Sequence, residues 1–233
     1  MCGRKSLILN PEKIIKELFI DEWNNSGVFS PRYNISPGQN SPILIWNKKK
    51  RIVKEMKWGL EPSWSKDKIM GQNFFNARSE TLLEKPSFQN LVSKKRCVVI
   101  TDGYFEWKKS GNLKRPHYIF HPHGRVLPMA GLWSSKINSS GKSMNSYTII
   151  TTSPIQKVSH IHNRMPVILH NENLDKWLNF EKNSINSALS VLRSNKIDLD
   201  FYPVSGKVNN AEFDKPQCTR RVNYNKTLNL FSS

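Results

Sequence analysis

The chain has 233 residues, and 36 Lys and Arg against 18 Asp and Glu give it a formal net charge of +18. Its length suits one sizeable core, and because no apolar run approaches a membrane span or a signal peptide, we expect a cytoplasmic protein without a membrane partner. This excess of positive charge is larger than an enzyme of neutral metabolites needs, so it favours a polyanionic partner. The chain also has 7 Trp, 11 Phe and 6 Tyr, and aromatic rings on which bases can stack favour single-stranded nucleic acid as that partner.

In chain order, the first predicted element is a helix. Asn10 is suited to cap it and Pro11 to open it, and the apolar spacing carries it to about Ile20. A hairpin follows, with strands over 43–46 and 52–58 and a basic tip between them. Further strands are predicted over 97–101, 104–107, 117–120, 126–130, 147–152, 167–169 and 201–204. Short helices are predicted over 79–84, 87–92, 173–180 and 184–192, and a surface loop over 134–146.

The predicted helices are short and do not alternate regularly with the strands. This pattern predicts a single α+β domain with a mostly antiparallel sheet, curled or barrel-like, and short flanking helices. We place the domain at residues 1–218 and a basic C-terminal tail at residues 219–233. Nothing in the sequence requires more than a monomer.

Cys2 follows the initiator methionine, so removal of Met1 would leave an α-amine and a thiol on one residue. The α-amine has a reference pKa of about 8, against about 10.4 for lysine, and is partly neutral and nucleophilic at neutral pH. Such a residue attacks an aldehyde through its amine to give an imine, and its sulfur then closes a thiazolidine ring. The alternative is a small apolar residue without a chemical role. With Cys97 and Cys218 the cysteine count is odd and lacks CxxC spacing, which argues against a zinc ribbon or a disulfide framework.

Two segments in the first half of the chain carry candidate binding residues. A turn around Gly59 and Pro62 would expose Trp58 or Trp64, and Trp64 could stack on a base or cap the edge of the core. Asn76 and Arg78 share a face if their segment is extended, which would place an amide beside a guanidinium that can grip a phosphate. An ordinary loop is the alternative for this second segment.

Two segments in the second half carry candidate acid and base groups. Glu106 lies between aromatic residues, and partial desolvation there would raise its pKa toward neutrality; an exposed edge-strand glutamate is the alternative. His160, His162 and Arg164 alternate before an apolar stretch, which predicts that they share one face. Alternating histidines can bind a metal, but no carboxylate or cysteine stands at ligand spacing, so we predict no metal and no cofactor.

Four motifs in this order resemble those of the SRAP family, the SOS response-associated peptidases that process abasic sites. The motifs are Met1-Cys2-Gly3-Arg4, Asn76-Ala77-Arg78-Ser79-Glu80-Thr81, Asp102-Gly103-Tyr104-Phe105-Glu106-Trp107 and His162-Asn163-Arg164-Met165-Pro166. The similarity also includes Tyr33-Asn34-Ile35-Ser36-Pro37, Pro203-Val204-Ser205 and Val208-Asn209, and it extends to roughly Cys218.

The resemblance implies a function and a set of roles. It implies that Cys2 captures the ring-opened aldehyde of an abasic site in single-stranded DNA as a thiazolidine, with abasic lyase activity and removal of Met1 by the protein itself as possible accompaniments. It implies that Asn76 positions the N-terminal residue, Glu106 assists proton transfer, and His162 acts as acid or base on the sugar, with His160 as a second candidate. The residues implied to contact DNA are Arg4, Arg78 and Arg164 at phosphates, and Pro37, Trp64 and Trp107 along the strand.

Two other functions compete with this interpretation. Glutamine amidotransferases also begin Met-Cys-Gly and use the α-amine as a base for the thiol, so an N-terminal-nucleophile amidohydrolase is one rival. Such chains usually continue with an apolar residue where Arg4 stands, and their chemistry requires neither a charge of +18 nor the motif at His162. A single-strand binding module without catalysis is the other rival, and it predicts that Cys2→Ala behaves like the wild type.

Overall fold

The computed structural model describes residues 2–62, 74–137, 140–193 and 197–223. The strands are β1 (Lys5–Leu7), β2 (Arg32–Ile35), β3 (Asn40–Asn47), β4 (Lys50–Trp58), β5 (Asn76–Arg78), β6 (Arg96–Val99), β7 (Gly103–Ser110), β8 (Leu113–Phe120), β9 (Met129–Ile137), β10 (Ser143–Thr152), β11 (Met165–Pro166) and β12 (Asp200–Pro203). The α-helices are α1 (Pro11–Leu18), α2 (Pro86–Lys94), α3 (Gln156–Ser159), α4 (Leu174–Leu178) and α5 (Ile185–Ser190). Short 3-10 turns lie at Ser26–Val28, Ser79–Thr81, Asn171–Asn173, Val191–Arg193, Gly206–Asn209 and Pro216–Cys218.

These strands form two sheets. In the first, the strand order is β12-β8-β7-β1-β2, and every pairing is antiparallel. In the second, β10, β4, β3, β6 and β9 follow one another and β9 pairs back onto β10, which closes a five-stranded ring; β5 and β11 add to β10. Only the pairings of β10 with β4 and β5 are parallel among the described strands. The predicted α+β fold with a mostly antiparallel, barrel-like sheet is therefore confirmed.

Alternation along β7 explains how the first sheet is buried on both faces. Tyr104 belongs to the main core, whereas Phe105 packs on the opposite face with Tyr118, Val204 and Cys218. Because successive strand residues point to opposite faces, Glu106 lies on the same face as Tyr104. The sheet thus carries an acidic side chain into the interface with the barrel.

The first predicted elements match the structure closely. Helix α1 begins after Asn10, whose side chain accepts a hydrogen bond from Glu12 N at 2.8 Å, and it buries Ile14 and Leu18. The hairpin of β3 and β4 turns at residues 48 and 49, which have φ of 46° and 68°. Positive φ at both central residues is the geometry whose twist matches a two-residue hairpin, so the basic tip serves as a turn.

Three of the predicted elements are wrong in whole or in part. The segment 134–146 is not one surface loop, because β9 and β10 continue into it and pair from Ser143 opposite Ile137 onward. The strand predicted over 126–130 begins only at Met129. The segment 167–169 is buried but not a strand: Ile168 forms an isolated bridge to Met129, and Val167 N donates to Ile150 O at 2.9 Å.

The remaining elements differ mainly in length. The helix predicted over 79–84 is a 3-10 turn, and α2, α4 and α5 lie within or around the other three predicted helices. Strands β1 and β2, which have three and four residues, were not predicted. The domain boundary at 218 stays a prediction. Beyond it, Arg221 forms a bridge with Val204, and Val222 N donates to Pro203 O at 2.9 Å. The backbone at residues 221 and 222 therefore runs along the edge of the first sheet at β12.

Candidate active site

The N-terminal segment brings Cys2 into the interior. The Cys2 side chain is fully buried, and Asn76 Nδ2 donates a 2.9 Å hydrogen bond to the Cys2 carbonyl oxygen. Asn76 opens β5, in which Ala77 is buried and Arg78 is exposed, so the predicted shared face of Asn76 and Arg78 is confirmed. The Asn76 Oδ1 atom is buried and accepts no hydrogen bond from the described residues. This amide therefore fixes the Cys2 main chain and keeps an acceptor available inside the site.

Glu106 lies beside Cys2 in the middle of the first sheet. Strand β7 is flanked by β1 and β8, and Glu106 is 2% exposed, so an exposed edge-strand glutamate is excluded. Burial raises the pKa of Glu106 to about 7, as predicted from its aromatic neighbours. Burial also raises the pKa of the Cys2 thiol, and the negative charge of Glu106 raises it further. At neutral pH the site thus holds a protonated thiol beside a carboxyl group that can give or accept a proton.

His162 completes this group. Its Nε2 atom is 3.9 Å from Glu106 Oε2, while its Nδ1 atom is 3.1 Å from Arg164 N and 3.2 Å from Arg164 O. The Arg164 main chain therefore offers a donor to the neutral ring and an acceptor to the protonated ring. Burial lowers the pKa of His162. A largely neutral imidazole facing Glu106 is suited to relay a proton.

The predicted face with both histidines is not formed. Residues 156–159 form helix α3, and His160 is its C-cap, so the alternation expected of a strand does not apply. The His160 ring is exposed and lies edge-on to Phe201 with centroids 5.0 Å apart. His162 is thus the histidine that reaches Glu106. Within the described residues no group of three or more His, Cys, Asp and Glu side chains is arranged to hold a metal ion.

Two pairs of predicted DNA-contacting residues border the site. Arg4 Nη2 donates to Asn209 O at 3.1 Å and Trp107 Nε1 donates to Asn209 Oδ1 at 2.8 Å, so both meet at Asn209. Arg78 pairs across from Thr151, whose carbonyl oxygen accepts a 2.6 Å hydrogen bond from Arg164 Nη2. The structure brings Arg78 and Arg164 together at one end of β10.

Arg164 is already engaged by an acidic partner. Its two terminal nitrogens donate to Glu80 Oε1 and Oε2 at 2.7 and 2.9 Å, a bidentate pair at the surface. This pair holds the pKa of Glu80 below its usual range. A phosphate bound by Arg164 would have to compete with Glu80, which the sequence did not indicate.

The other two predicted contact residues lie apart from these pairs. Pro37 is half-buried in the turn after β2, two residues beyond Ile35, which pairs with Lys5. Trp64 lies outside the described residues. Trp58, its companion in the sequence, is fully buried, stacks on Tyr147 and donates from Nε1 to Phe75 O at 2.9 Å. Trp58 is therefore a core residue.

Sequence reasoning missed two buried polar side chains next to Cys2. Lys5 is 0% exposed, pairs across from Tyr104, and donates from Nζ to Ile100 O at 3.3 Å. Burial lowers the pKa of Lys5 to about 7, although attraction to Cys2 and acidic neighbours opposes the change. The Tyr104 hydroxyl is buried without a hydrogen-bond partner among the described residues, and its pKa is raised by burial and then by Cys2 and Glu106. The three-residue strand β1 gives no periodic signal that could have revealed Lys5, and Tyr104 meets it only through the pairing of β1 with β7.

Comparison with known proteins gives consistent matches over nearly the whole chain. Residues 1–211 match the family described as SOS response associated peptidase (SRAP). The abasic site processing protein YoqW of Bacillus subtilis is 36% identical over 219 residues, which cover 93% of this chain and 98% of that protein. The abasic site processing protein HMCES of Gallus gallus is 32% identical over 259 residues, which cover 94% and 77%. A crystal structure of a Bacteroides thetaiotaomicron protein matches with a TM-score of 0.83 at 26% identity and covers 95% of this chain and 100% of that one.

No helix within the described residues has the length and apolar character needed to cross a membrane.

Proposed function

Since the chain belongs to the SRAP family, as its motifs indicated, we propose that it processes abasic sites in single-stranded DNA by covalent capture through Cys2. The observation that carries this proposal is the hydrogen bond from Asn76 to the Cys2 carbonyl, which holds Cys2 beside Glu106. Curated relatives named as abasic site processing proteins support the choice of substrate. The protein acts as a monomer, without metal or cofactor, in the cytoplasm and on DNA.

The amine of Cys2 makes the first attack in this mechanism. After Met1 is removed, the neutral α-amine adds to the C1′ aldehyde of the ring-opened sugar to give a carbinolamine. Protonated Glu106 donates a proton to the carbinolamine hydroxyl, and water leaves as the imine forms. With a pKa of about 7, Glu106 is present in both protonation states at neutral pH and serves the donor and acceptor steps alike.

The thiol closes the ring in the second stage. Cys2 sulfur adds to the imine carbon, its proton passes through Glu106 to the nitrogen, and a thiazolidine results; overall, aldehyde and aminothiol combine with loss of one water. His162 acts as acid or base on the opened sugar. If a base instead removes the C2′ proton of the imine, elimination of the 3′ phosphate cleaves the strand, which accounts for lyase activity beside capture.

The raised pKa of the thiol favours this order of events. An N-terminal-nucleophile amidohydrolase needs the sulfur as its first nucleophile, and burial together with the charge of Glu106 opposes thiolate formation at Cys2. An amine-first reaction has no such requirement, because the sulfur adds only after the imine has formed.

The strand is held by cations and rings around Cys2. Arg78 and Arg164 hold phosphates on one side, with Arg164 exchanging Glu80 for a phosphate oxygen. Arg4 and Trp107, fixed through Asn209, contact the strand on the other side. Pro37 and Trp64 line its path. Removal of Met1 by the protein itself is part of this proposal and accounts for the peptidase name of the family.

A denaturing gel tests the proposal directly. Purified protein is mixed with a single-stranded oligonucleotide carrying one abasic site, beside an intact oligonucleotide and the variants Cys2→Ala and Cys97→Ala. We expect a heat-stable shifted band that needs the lesion and Cys2 but not the buried Cys97. Mass spectrometry must show loss of one methionine. No band from protein lacking Met1 would refute covalent capture, and glutamine hydrolysis by that protein would support the amidohydrolase.

A further inference from the structure

A groove of about 600 Å³ lies between the turn at Ser79–Thr81 and the helical residues of α5 and Val191–Arg193. Four leucines line it: Leu82 and Leu192 are buried, Leu189 is half-buried, and Leu83 is 42% exposed. An exposed leucine beside half-buried and buried ones forms an apolar surface of the kind that another segment covers.

The groove also carries negative charge. Glu80 and Glu84 both line it, in a chain with 36 Lys and Arg against 18 Asp and Glu, and Arg193 is the only basic residue among the described residues of the lining. Glu80 is paired with Arg164, whereas Glu84 is exposed and forms no ion pair with a side chain of the described residues. The groove therefore suits a segment that combines apolar side chains with a cation.

Residues 224–233 have this composition. The structure describes the chain as far as Asn223, and the ten residues that follow in the sequence contain Leu228, Leu230 and Phe231 together with Lys226, but no Asp or Glu. These three apolar side chains could cover the leucines of the groove, and Lys226 complements its carboxylates.

The last described residues run in the direction of the groove. Arg221 forms an antiparallel bridge with Val204, and Val222 N donates to Pro203 O at 2.9 Å. The chain at residues 221 and 222 is therefore antiparallel to β12 and heads toward the beginning of that strand at Asp200.

The groove is within reach from this point. Lys157 Nζ lies 4.0 Å from Asp200 Oδ1 and 3.8 Å from Asp198 Oδ1, so α3 stands beside the beginning of β12. Ser153 lines the groove and precedes Lys157 by four residues, which span at most about 14 Å. The nine residues after Val222 span about 30 Å when extended, which is enough to pass α3 and enter the groove.

We propose that residues 224–233 dock in this groove, with Leu228, Leu230 and Phe231 on its leucines and Lys226 at Glu84. The docked segment forms a strap from β12 across α3, the helix that His162 follows by three residues. The inference goes beyond the proposed function, because the docking requires neither DNA nor the chemistry of Cys2.

Disulfide trapping in the full-length protein tests the strap. Asn229→Cys places a thiol between two leucines of the segment, and Ser153→Cys places one in the groove without changing a leucine. The matched control joins Asn229→Cys to Ser110→Cys, because Ser110 is exposed and lines a pocket that Asn223 also lines. Under mild oxidation of dilute protein, the pair with Ser153→Cys should close at least tenfold faster than the control pair. Mass spectrometry of the disulfide-linked peptides measures both rates.

The expected difference follows from local concentration. Groups joined by a short flexible connection meet at effective concentrations on the order of millimolar, and docking raises this concentration at the groove alone. Equal rates for the two pairs, or faster closure of the control pair, would overturn the docking. A disulfide that joins two molecules instead of closing within one would also overturn it and would indicate a second copy as the occupant. Since no abasic DNA is present, failure of this experiment leaves the proposed function intact, and failure of covalent capture leaves the strap intact.

Two surface substitutions in the protein with Ser153→Cys and Asn229→Cys test the apolar contact. Leu83→Lys changes the exposed leucine of the groove, and Leu113→Lys changes a leucine that is 59% exposed on the hairpin of β7 and β8. Leu83→Lys should slow disulfide closure at least threefold, whereas Leu113→Lys should leave it unchanged. Equal closure rates in both variants would show that the leucines of the groove do not hold the segment.

Discussion

Replacing Lys5 by Met should stabilise the protein at acidic pH. Lys5 is fully buried, with one hydrogen bond from its Nζ atom to Ile100 O. Its pKa falls from 10.5 to about 7 because the charged form loses its hydration. Methionine keeps a side chain of similar length and apolar character but cannot carry the charge.

The magnitude follows from the two pKa values of Lys5. Between pH 7 and pH 10.5 the unfolded chain binds a proton that the folded protein lacks, so the free energy of unfolding rises with pH in this window. The full difference between the two pKa values corresponds to a destabilisation of the folded wild type by about 5 kcal/mol. This destabilisation is present below pH 7 and disappears toward pH 10.5. From pH 6 to pH 9 the wild type should regain about 2.5 kcal/mol. Loss of the hydrogen bond to Ile100 costs the variant about 1.5 kcal/mol at every pH.

Urea denaturation of both proteins at pH 6, 7, 8 and 9 measures this effect. We expect Lys5→Met to exceed the wild type in free energy of unfolding by about 3 kcal/mol at pH 6 and to lie near it at pH 9. Groups common to both proteins cancel in the difference. Lys16→Met, on the exposed side of α1, should show no such dependence. A difference between Lys5→Met and the wild type that does not change with pH would refute the argument, because Lys5 would then titrate normally.

Three further predictions concern Glu106, Gly103 and Glu80. The rate of covalent capture by the wild type should decline above pH 7, because Glu106 loses its proton above its pKa of about 7. Glu106→Gln should react about 100-fold more slowly than the wild type, and its rate should not show this decline. Both rates are measured from pH 5.5 to 8.5. Gly103→Ala would place a Cβ atom 2.2 Å from the buried Tyr118 ring and should lower the free energy of unfolding by about 1–3 kcal/mol in urea. Glu80→Gln frees Arg164 and should tighten binding of intact single strands about two- to fivefold, measured by fluorescence anisotropy.

Each of these has a matched control. The pKa of Glu55 is also raised by burial, and Glu55→Gln should leave the pH profile of covalent capture unchanged. A wild-type pH profile in Glu106→Gln would contradict the first prediction. Gly27 has open space around its Cα, so Gly27→Ala should retain stability, and equal stability of both alanine variants would contradict the second. Glu84→Gln removes an exposed charge near Glu80. If Glu84→Gln and Glu80→Gln tightened DNA binding equally, the cause would be the change in net charge and not the release of Arg164.

Local chemistry made some of the site predictable. Glu106 stands between aromatic residues on a strand, and this alone indicated burial and a raised pKa, both of which the structure contains. Asn76 and Arg78 share a face because their segment is extended, as the spacing required. In both cases the relevant neighbours lie within two residues along the chain.

Distant contacts were not predictable in the same way. Arg164 is paired with Glu80, 84 residues away, and Lys5 is buried between strand partners at residues 35 and 104. A strand period predicts that His160 shares a face with His162, but His160 caps the end of helix α3. The polar hairpin of β9 and β10 has the composition of a surface loop, because its small polar residues carry no apolar alternation. Pairing decided each of these features, and pairing depends on the whole fold.

The attachment of two strands to β10 anchors the amide that holds Cys2. Trp58 pairs with Tyr147 and Asn76 with Ile149, so β4 ends and β5 begins two positions apart along one strand, and Leu60 bridges Phe74. Ile149 N also donates to Phe75 O at 3.1 Å, directly before Asn76. The barrel wall therefore serves as the ruler from which the N-terminal residue takes its position.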